Sequence, residues 1–381
     1  MHTEQRSWTK ETGWTITSGE MPNEAQLVLA FGGRAELEVP ERFSEIQAFY
    51  PHAHIIMGST AGEILGTHVH NNSIALSAVH FSKTTLQYAQ ATITENAESE
   101  QKGRELAEQL PQDGLKHVMV FSDGLHVNGT MFVKGLMTII PNTVAITGGL
   151  VGDGTDFKKT LLGLDAVPSE GTLVLIGFYG DSIRVGHGSM GGWDTFGPDR
   201  LITKSDNNVL YELDGKPALA LYKEYLGEEA EGLPGSGLLF PINLKVTSEG
   251  KETEVVRTLL AVDEEKQSMT FAGDMPEGAT ATLMKANFEK LVDGARGAAH
   301  MSNEAIGSSD VELAILVSCV GRKLVLKERI EEETEAVQEV VGLGTPMIGF
   351  YSYGEISPVA PTEKQCRLHN QTMTITTFRE A

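Results

Sequence analysis

Arg34, Arg322, Glu63 and Glu355 stand at matching places in two stretches of this 381-residue chain. LVLAFGGR (27–34) and ILVSCVGR (315–322) are apolar runs that end in Gly-Arg, and IIMGSTAGEI (55–64) and MIGFYSYGEI (347–356) are apolar runs that end in Gly-Glu-Ile. The four charged groups could grip a carboxylate and an ammonium, or bridge one another within each copy. Cys319 ends its apolar run two residues before Gly321-Arg322, where a guanidinium would favour a thiolate; a small buried residue at a strand end is the other reading. Trp193, after Gly191-Gly192, offers a flat apolar wall with an indole N–H. Tyr351 and Tyr353 alternate along a strand and so share a face. Aromatic rings with a few polar groups suit a small-ligand pocket, and they also suit a core or an interface.

Other chemistry-bearing patterns are weaker. His52 and His54 are two apart, as are His68 and His70, but neither pair has an adjacent Cys or acidic cluster, so they read as exposed loop histidines and no metal is expected. GHGSMG (186–191) spells G-x-G-x-x-G, yet Gly197-Pro198 follows and no helix begins there, so it is not a dinucleotide site. GGLVGDG (148–154) has no Lys-Ser/Thr and reads as a turn. Ser59-Thr60 and Ser122-Asp123 fall at strand ends, where nucleophiles can sit, but no histidine can be assigned to them. G-x-S-x-G, H-E-x-x-H and kinase signatures are absent from the sequence.

The elements that must carry these residues are repeated. Arg34 to Glu63 is 29 residues and Arg322 to Glu355 is 33, a difference of about one helical turn, so the second copy has the longer helix. In the first copy a strand at 27–31 leads to a helix entered at Val39-Pro40 with Val39, Phe43, Ile46 and Tyr50 on one stripe, then strands at 55–58 and 73–81. In the last copy a strand at 313–318 leads to a helix with Leu326, Ile330, Val337 and Val341 inward and Glu331, Glu332, Glu333 and Glu335 on a solvated face. A partial third copy runs through HVMVFSDG (117–124), VAITGGLVGDG (144–154) and TLVLIGFYG (172–180). The implied class is α/β of the α+β type: mixed β-sheets with packed helices, built from strand, helix, strand, turn, strand units in pseudo-symmetric halves. Asp214 is placed to cap and Pro217 to open a helix ending at Gly227, with the domain boundary just before it. A further helix is predicted over about 284–299, with Met284, Phe288, Leu291 and Val292 on one stripe.

The chain suits two domains or two interlocked halves. Its net charge of −22 repels phosphate backbones and anionic lipid heads, so neither nucleic acid nor a membrane is expected as a partner. No apolar stretch approaches the roughly 20 residues of a spanning helix, and the start MHTEQRSWTKETGW lacks the apolar segment of a secretory signal. With only Cys319 and Cys366 there is no disulfide framework, and a cytoplasmic setting is expected.

Taken in order, LVLAFGGR, GSTAGEI, GGLVGDG, GHGSMGGW, LDGKPALALYKEYLG, GDMPEGATATLM, SCVGR and GFYSYGEISP resemble the FIST family over nearly all of the chain from about Ala25. The resemblance implies a FIST N-like domain over 22–212 and a FIST C-like domain over 213–381. It also implies an intracellular bacterial input protein in signal transduction that binds a small ligand, with amino acids or related metabolites proposed. Such proteins inform histidine kinases, chemoreceptors or cyclic-di-GMP enzymes, and with no room here for a fused output domain a separate partner is implied. The family's motif positions fall on Cys319, Arg322, Tyr351, Gly354 and Glu355, with Gly192 and Trp193. The resulting expectation is a non-enzymatic, cofactor-free sensor whose ligand lies between the domains near Cys319, Arg322, Tyr351, Tyr353 and Glu355. Some family members bind haem and respond to nitric oxide; that alternative has His187 and His369 as candidate ligands and lacks a C-x-x-C-H motif. A cysteine-dependent enzyme using Cys319 is the other alternative.

Overall fold

Runs of strands are interrupted by helices along the chain. The computed structural model describes residues 1–20, 24–248, 251–307, 310–360, 362 and 365–381; residue 22, the expected start of the first domain, lies outside them. The strands that build the body are β1 (His2–Thr9), β2 (Leu27–Gly32), β3 (His54–Ser59), β4 (Glu63–Leu65), β5 (Ile74–His80), β6 (Thr85–Thr92), β7 (Leu115–Ser122) and β8 (Ala145–Leu150). They continue with β9 (Leu162–Leu164), β10 (Thr172–Tyr179), β11 (Ile183–Met190), β12 (Leu313–Cys319), β13 (Met347–Ser352), β14 (Gly354–Pro358), β15 (Cys366–His369) and β16 (Met373–Glu380).

With two further edge strands, Gly13–Ser18 and His68–His70, these sixteen form three mixed six-stranded sheets with one pairing scheme. Each is built on a parallel pair: β2 with β3, β7 with β8, and β12 with β13. The first strand of each pair is flanked by an antiparallel return strand, β5, β10 or β16. The second is flanked by a short strand that arrives from another unit. β9 closes the sheet of β3, β14 closes that of β8, and β4 closes that of β13. Each unit thus gives one strand away and receives one, in a closed cycle. The expected mixed sheets with packed helices are present.

Parallel pairs need a crossover connection. These are α1 (Pro40–Phe49), α3 (Gly129–Met137), and α6 (Val320–Leu326) with α7 (Glu331–Val341), while α2 (Ser99–Ala107) packs beside α3. Pro40 opens α1 with Val39 at the cap as the sequence predicts, and Ile46 and Tyr50 are buried. Inner faces of all three sheets meet in one core. At its centre Phe31, Phe121 and Phe350, one from each sheet, stand 4.6 to 6.2 Å apart by ring centroid, within the range at which aromatic pairs attract.

Between β11 and the helix α5 (Phe288–Ile306), the chain makes a fourth, eight-stranded sheet from residues 194–285, crossed by α4 (Ala218–Leu226) and packed around its own apolar core. Three sequence readings change here or nearby. Asp214 does not cap α4; it accepts from Leu201 N at 2.9 Å and pairs with Arg200 at 3.0 Å, and Pro217 itself holds the cap position. Met284 belongs to a strand (Thr280–Lys285), so α5 begins only at Phe288, capped by Asn287, and runs on to Ile306. Phe288 is exposed. The acidic run of α7 is not wholly a solvated face: Glu333 is fully buried and paired with Arg322 at 2.8 Å.

GHGSMG lies in β11, antiparallel to β16. A methyl group at Gly186 or Gly188 would collide with the carbonyl of Ser302 or Ala298 on α5, and one at Gly192 with that of Lys290. These glycines let a helix lie directly on a strand, the use of glycine where backbones approach closely. Among the described residues no helix is long and apolar enough to cross a membrane.

Candidate ligand site

The three glycine turns at the strand ends face one another and interlock. Ala61 N donates to Tyr351 O and Tyr351 N to Gly62 O, both at 2.8 Å; Tyr353 N donates to Leu150 O at 3.0 Å, and Gly152 N to Ser59 O at 3.0 Å. The space where paired loops would enclose a ligand is therefore filled by backbone.

The glutamates of these turns are satisfied within their own copies. Glu63 accepts from Thr60 Oγ1 at 2.6 Å and from the N–H and hydroxyl of Ser73 at 3.2 and 2.8 Å. Glu355 repeats the pattern with Ser352 Oγ at 2.7 Å and the N–H and hydroxyl of Thr372 at 3.0 and 2.8 Å. Burial pushes both carboxyls up to about 7 despite these donors. The arginines pair elsewhere: Arg34 with Asp153 at 2.9 Å and Asp156 at 3.0 Å, and Arg322 with Glu333, its remaining donors meeting the carbonyls of Gly191 and Leu291. Tyr351 donates to the other oxygen of Glu333 at 2.7 Å, and Trp193 donates to Gln371 O at 2.9 Å. Arg322, Tyr351, Trp193 and Gly192 thus brace the junction of β11, α5, α6 and α7, while Glu355 ties the end of β13 to Thr372, just before β16.

A cavity of about 540 Å³ opens beside the ring of turns, between the body and the 194–285 unit. That is an ordinary size for a small-ligand pocket. Of the residues expected at the site, Cys319 and Tyr353 border it. Tyr353 donates to Asp153, and its ring stacks on Phe157 at 4.4 Å between centroids, so the two rings make one wall. Leu150, Val320 and Leu368 extend the apolar surface; Asn128, Asn208 and Thr258 supply amide and hydroxyl groups. Asn128 caps α3 through Met131 N at 3.1 Å and donates to Asp274 at 3.1 Å. Among the described residues, none of the side chains bordering the cavity carries a formal charge.

Cys319 has the wrong surroundings for a thiolate. Burial pushes its thiol far up and the Glu355 carboxylate adds to this, so the pull of Arg322 is outweighed. Haem does not fit either. His187 is fully buried in β11, and His369, pulled down to about 4 mainly by burial, has its Nε2 on Ser357 O at 2.9 Å; neither borders the cavity. Among the described residues no cluster of three or more His, Cys, Asp or Glu could hold a metal ion.

The asparagines, Phe157 and Thr258 were not legible as site residues, because loop polar residues carry no periodic signal. What was legible was the Gly-Glu-Ile turn from which Tyr353 projects.

The sequence is similar to uncharacterized protein Mb0898c of Mycobacterium bovis, at 26% identity over 244 residues, covering 60% of this chain and 61% of that protein. It is also similar to uncharacterized protein MT0656 of Mycobacterium tuberculosis, at 24% identity over 255 residues, covering 64% and 63%. The chain thus spans a little over three fifths of the length of these curated relatives. A cyanuric acid hydrolase structure from A. caulinodans aligns over 78% of this chain and 99% of that one, at 9% identity and a TM-score of 0.19, too low for an argument from shared fold. Family models match twice, the FIST N domain over residues 26–216 and the FIST C domain over 218–358, and the chain therefore belongs to the FIST family.

Proposed function

We propose that this protein is a cytoplasmic, non-enzymatic input module. In this reading it binds a small metabolite between the 194–285 unit and the body, and passes its ligand state to a separate signalling protein such as a histidine kinase, a chemoreceptor or a cyclic-di-GMP enzyme. The observation that carries this reading is the cavity itself, with walls contributed by two separately cored parts of the chain. A ligand held by both walls favours one arrangement of them over others, and that differential affinity is what a sensor transmits. The matching hydrogen bonds around Glu63 and Glu355 support halves descended from a duplicated unit. That scaffold is rigid because its turns are locked to one another.

An amino acid gripped by Arg34, Arg322, Glu63 and Glu355 has lost its support, since those groups are engaged inside the protein. The cavity suits a ligand held by apolar contact and by amide and hydroxyl groups.

A thermal-shift screen of small metabolites, run on the intact chain and on Leu260→Trp, tests the proposal. Leu260 is exposed and borders the cavity, so indole there narrows it without disturbing a core. A metabolite at about 100 times its Kd should stabilise the native chain by about 2.7 kcal/mol, and Leu260→Trp should lose most of that gain. Stabilisation undiminished by the substitution would place binding elsewhere.

A further inference from the structure

One outer strand of the body has its hydrogen-bonding edge open. β6 (Thr85–Thr92) ends its sheet and pairs only with β10, in unbroken register over all eight residues. Ile93 N carries the ladder one step further, to Gly171 O at 2.8 Å. Backbone groups alternate in direction along an antiparallel strand. Thr85, Gln87, Ala89 and Ala91 therefore turn their N–H and C=O toward β10, and Leu86, Tyr88, Gln90 and Thr92 turn theirs outward. Among the described residues nothing pairs with that outward row.

Exposed edges invite pairing with another chain, and proteins blunt them with charge, proline, bulges or brevity. The other outer strands of the body are short, bulged or covered. β9 and His68–His70 have three residues and β15 has four, Gly13–Ser18 is bulged against β1, and β11 lies under α5. β6 has no such protection: in a chain of which 22% is charged, its eight residues include no charge, no proline and no glycine. A long straight edge of this kind is accounted for by a strand that covers it.

The edge fits itself. In an antiparallel pair about a twofold axis through Ala89, outward residues meet outward residues. Leu86 then faces Thr92 of a second copy and Tyr88 faces its Gln90, each pair exchanging both backbone bonds. The same register sets Lys83 of each copy against Glu95 of the other, and both residues are exposed. Lys83 Nζ gives one donor to Ala381 O at 2.8 Å, and Glu95 uses its side chain to cap the turn Asn96–Glu98, so each keeps capacity for the other. Registers centred on Tyr88 or Gln90 shorten the overlap and move Lys83 opposite Ile93 or Ala97. With a net charge of −22 on each copy, an uncharged strip ended by opposite charges is where two copies meet at least electrostatic cost. We infer that this protein forms a twofold dimer in which β6 pairs with β6, joining a six-stranded sheet of each copy into one continuous sheet.

Sedimentation velocity of the intact chain over about 1 to 100 µM tests it, since a dimer fills by mass action. A species of twice the chain's mass should grow with concentration. Gln90→Pro removes an outward N–H that enters the interface twice, and proline is tolerated where a strand's N–H faces solvent. It should weaken the dimer at least about tenfold while the monomer melts near the native temperature. Lys83→Glu should weaken the dimer about threefold, and Lys83→Glu/Glu95→Lys should restore it. Cross-linking reads the register. Ala89 meets its own copy in a non-hydrogen-bonded pair, with Cα atoms about 4.5 Å apart. Under a mild oxidant Ala89→Cys should therefore give a covalent dimer and Gln87→Cys should not; the native cysteines are both buried. Should Gln90→Pro fail to fold, the cross-link keeps the test. A chain still monomeric at about 100 µM would leave the edge to a strand of another protein and overturn the proposal. A dimer that Gln90→Pro leaves intact, or Gln87→Cys cross-linking as readily as Ala89→Cys, overturns it too.

Discussion

Glu63 and Glu355 sit in the fold as near-twins, each with a hydroxyl on one oxygen and an N–H and a second hydroxyl on the other. Lys323 also faces Glu63, while Cys319 and Arg322 face Glu355. Folding raises each carboxyl from 4.5 to about 7. Their contribution to stability is therefore full below pH 4.5, falls as pH rises through 7 and is flat above, with a change of roughly 3 kcal/mol each. His369, depressed from 6.5 to about 4, slopes the opposite way, its contribution being lost as pH falls from 6.5 to 4. The comparison is thus between proteins: urea unfolding from pH 4.5 to 8 should show a steeper loss in the native chain than in Glu63→Gln/Glu355→Gln, and equal slopes would mean carboxylates ionised throughout. A second prediction concerns Arg322 and Glu333, both wholly buried. Glu333→Gln should cost about 3–5 kcal/mol by leaving a buried guanidinium uncompensated, whereas Arg322→Met/Glu333→Leu should cost less than the two single losses combined. Glu333 was not legible in the sequence, because in Glu331-Glu332-Glu333 nothing in residue type marks one carboxylate as buried.

Strands were the most legible elements, since uninterrupted runs such as LVLAFG and TLVLIGFY are buried on both faces, as two-sided sheets require. Helix limits were less so. α5 starts four residues after the predicted Met284 because an apolar stripe continues without change of period from strand into helix, and only Asn287, whose side chain accepts from Lys290 N, marks the entry. GHGSMG was legible as a motif that starts no helix, but its use, seating α5, depends on a contact between residues more than a hundred positions apart. Gly188→Ala should lower the melting temperature by several degrees, a cost of about 1–3 kcal/mol from pushing α5 off its strand. Gly235→Ala, where an added methyl meets nothing within 4 Å, should be neutral or slightly stabilising. Equal effects would remove helix seating as the reason for the glycine.

At the scale of the whole molecule, the three body sheets exchange short strands in a closed cycle, whereas the 194–285 unit keeps its own core. Hydrogen exchange followed by mass spectrometry should therefore find β4, β9 and β14 opening with the same free energy as the central strands β2, β7 and β12, because no sheet of the cycle is complete alone. The hairpin of Ile242–Ser248 and Lys251–Arg257, at the edge of the separate sheet, should open sooner. Protection in β9 well below that of β2 would show a cycle that comes apart by pieces. Repeated units were visible in the sequence as repeated turns; the exchange was not, because a strand of three residues carries no sign of which sheet it will join. That exchange also sets a timetable for biosynthesis. A ribosome delivers β4 at residues 63–65, yet the strand it pairs with, β13, emerges only at 347–352. The earliest unit to leave the exit tunnel is thus obliged to wait, with an apolar edge unpaired, for nearly the last, and the nascent chain is a natural client for a chaperone until the final unit arrives.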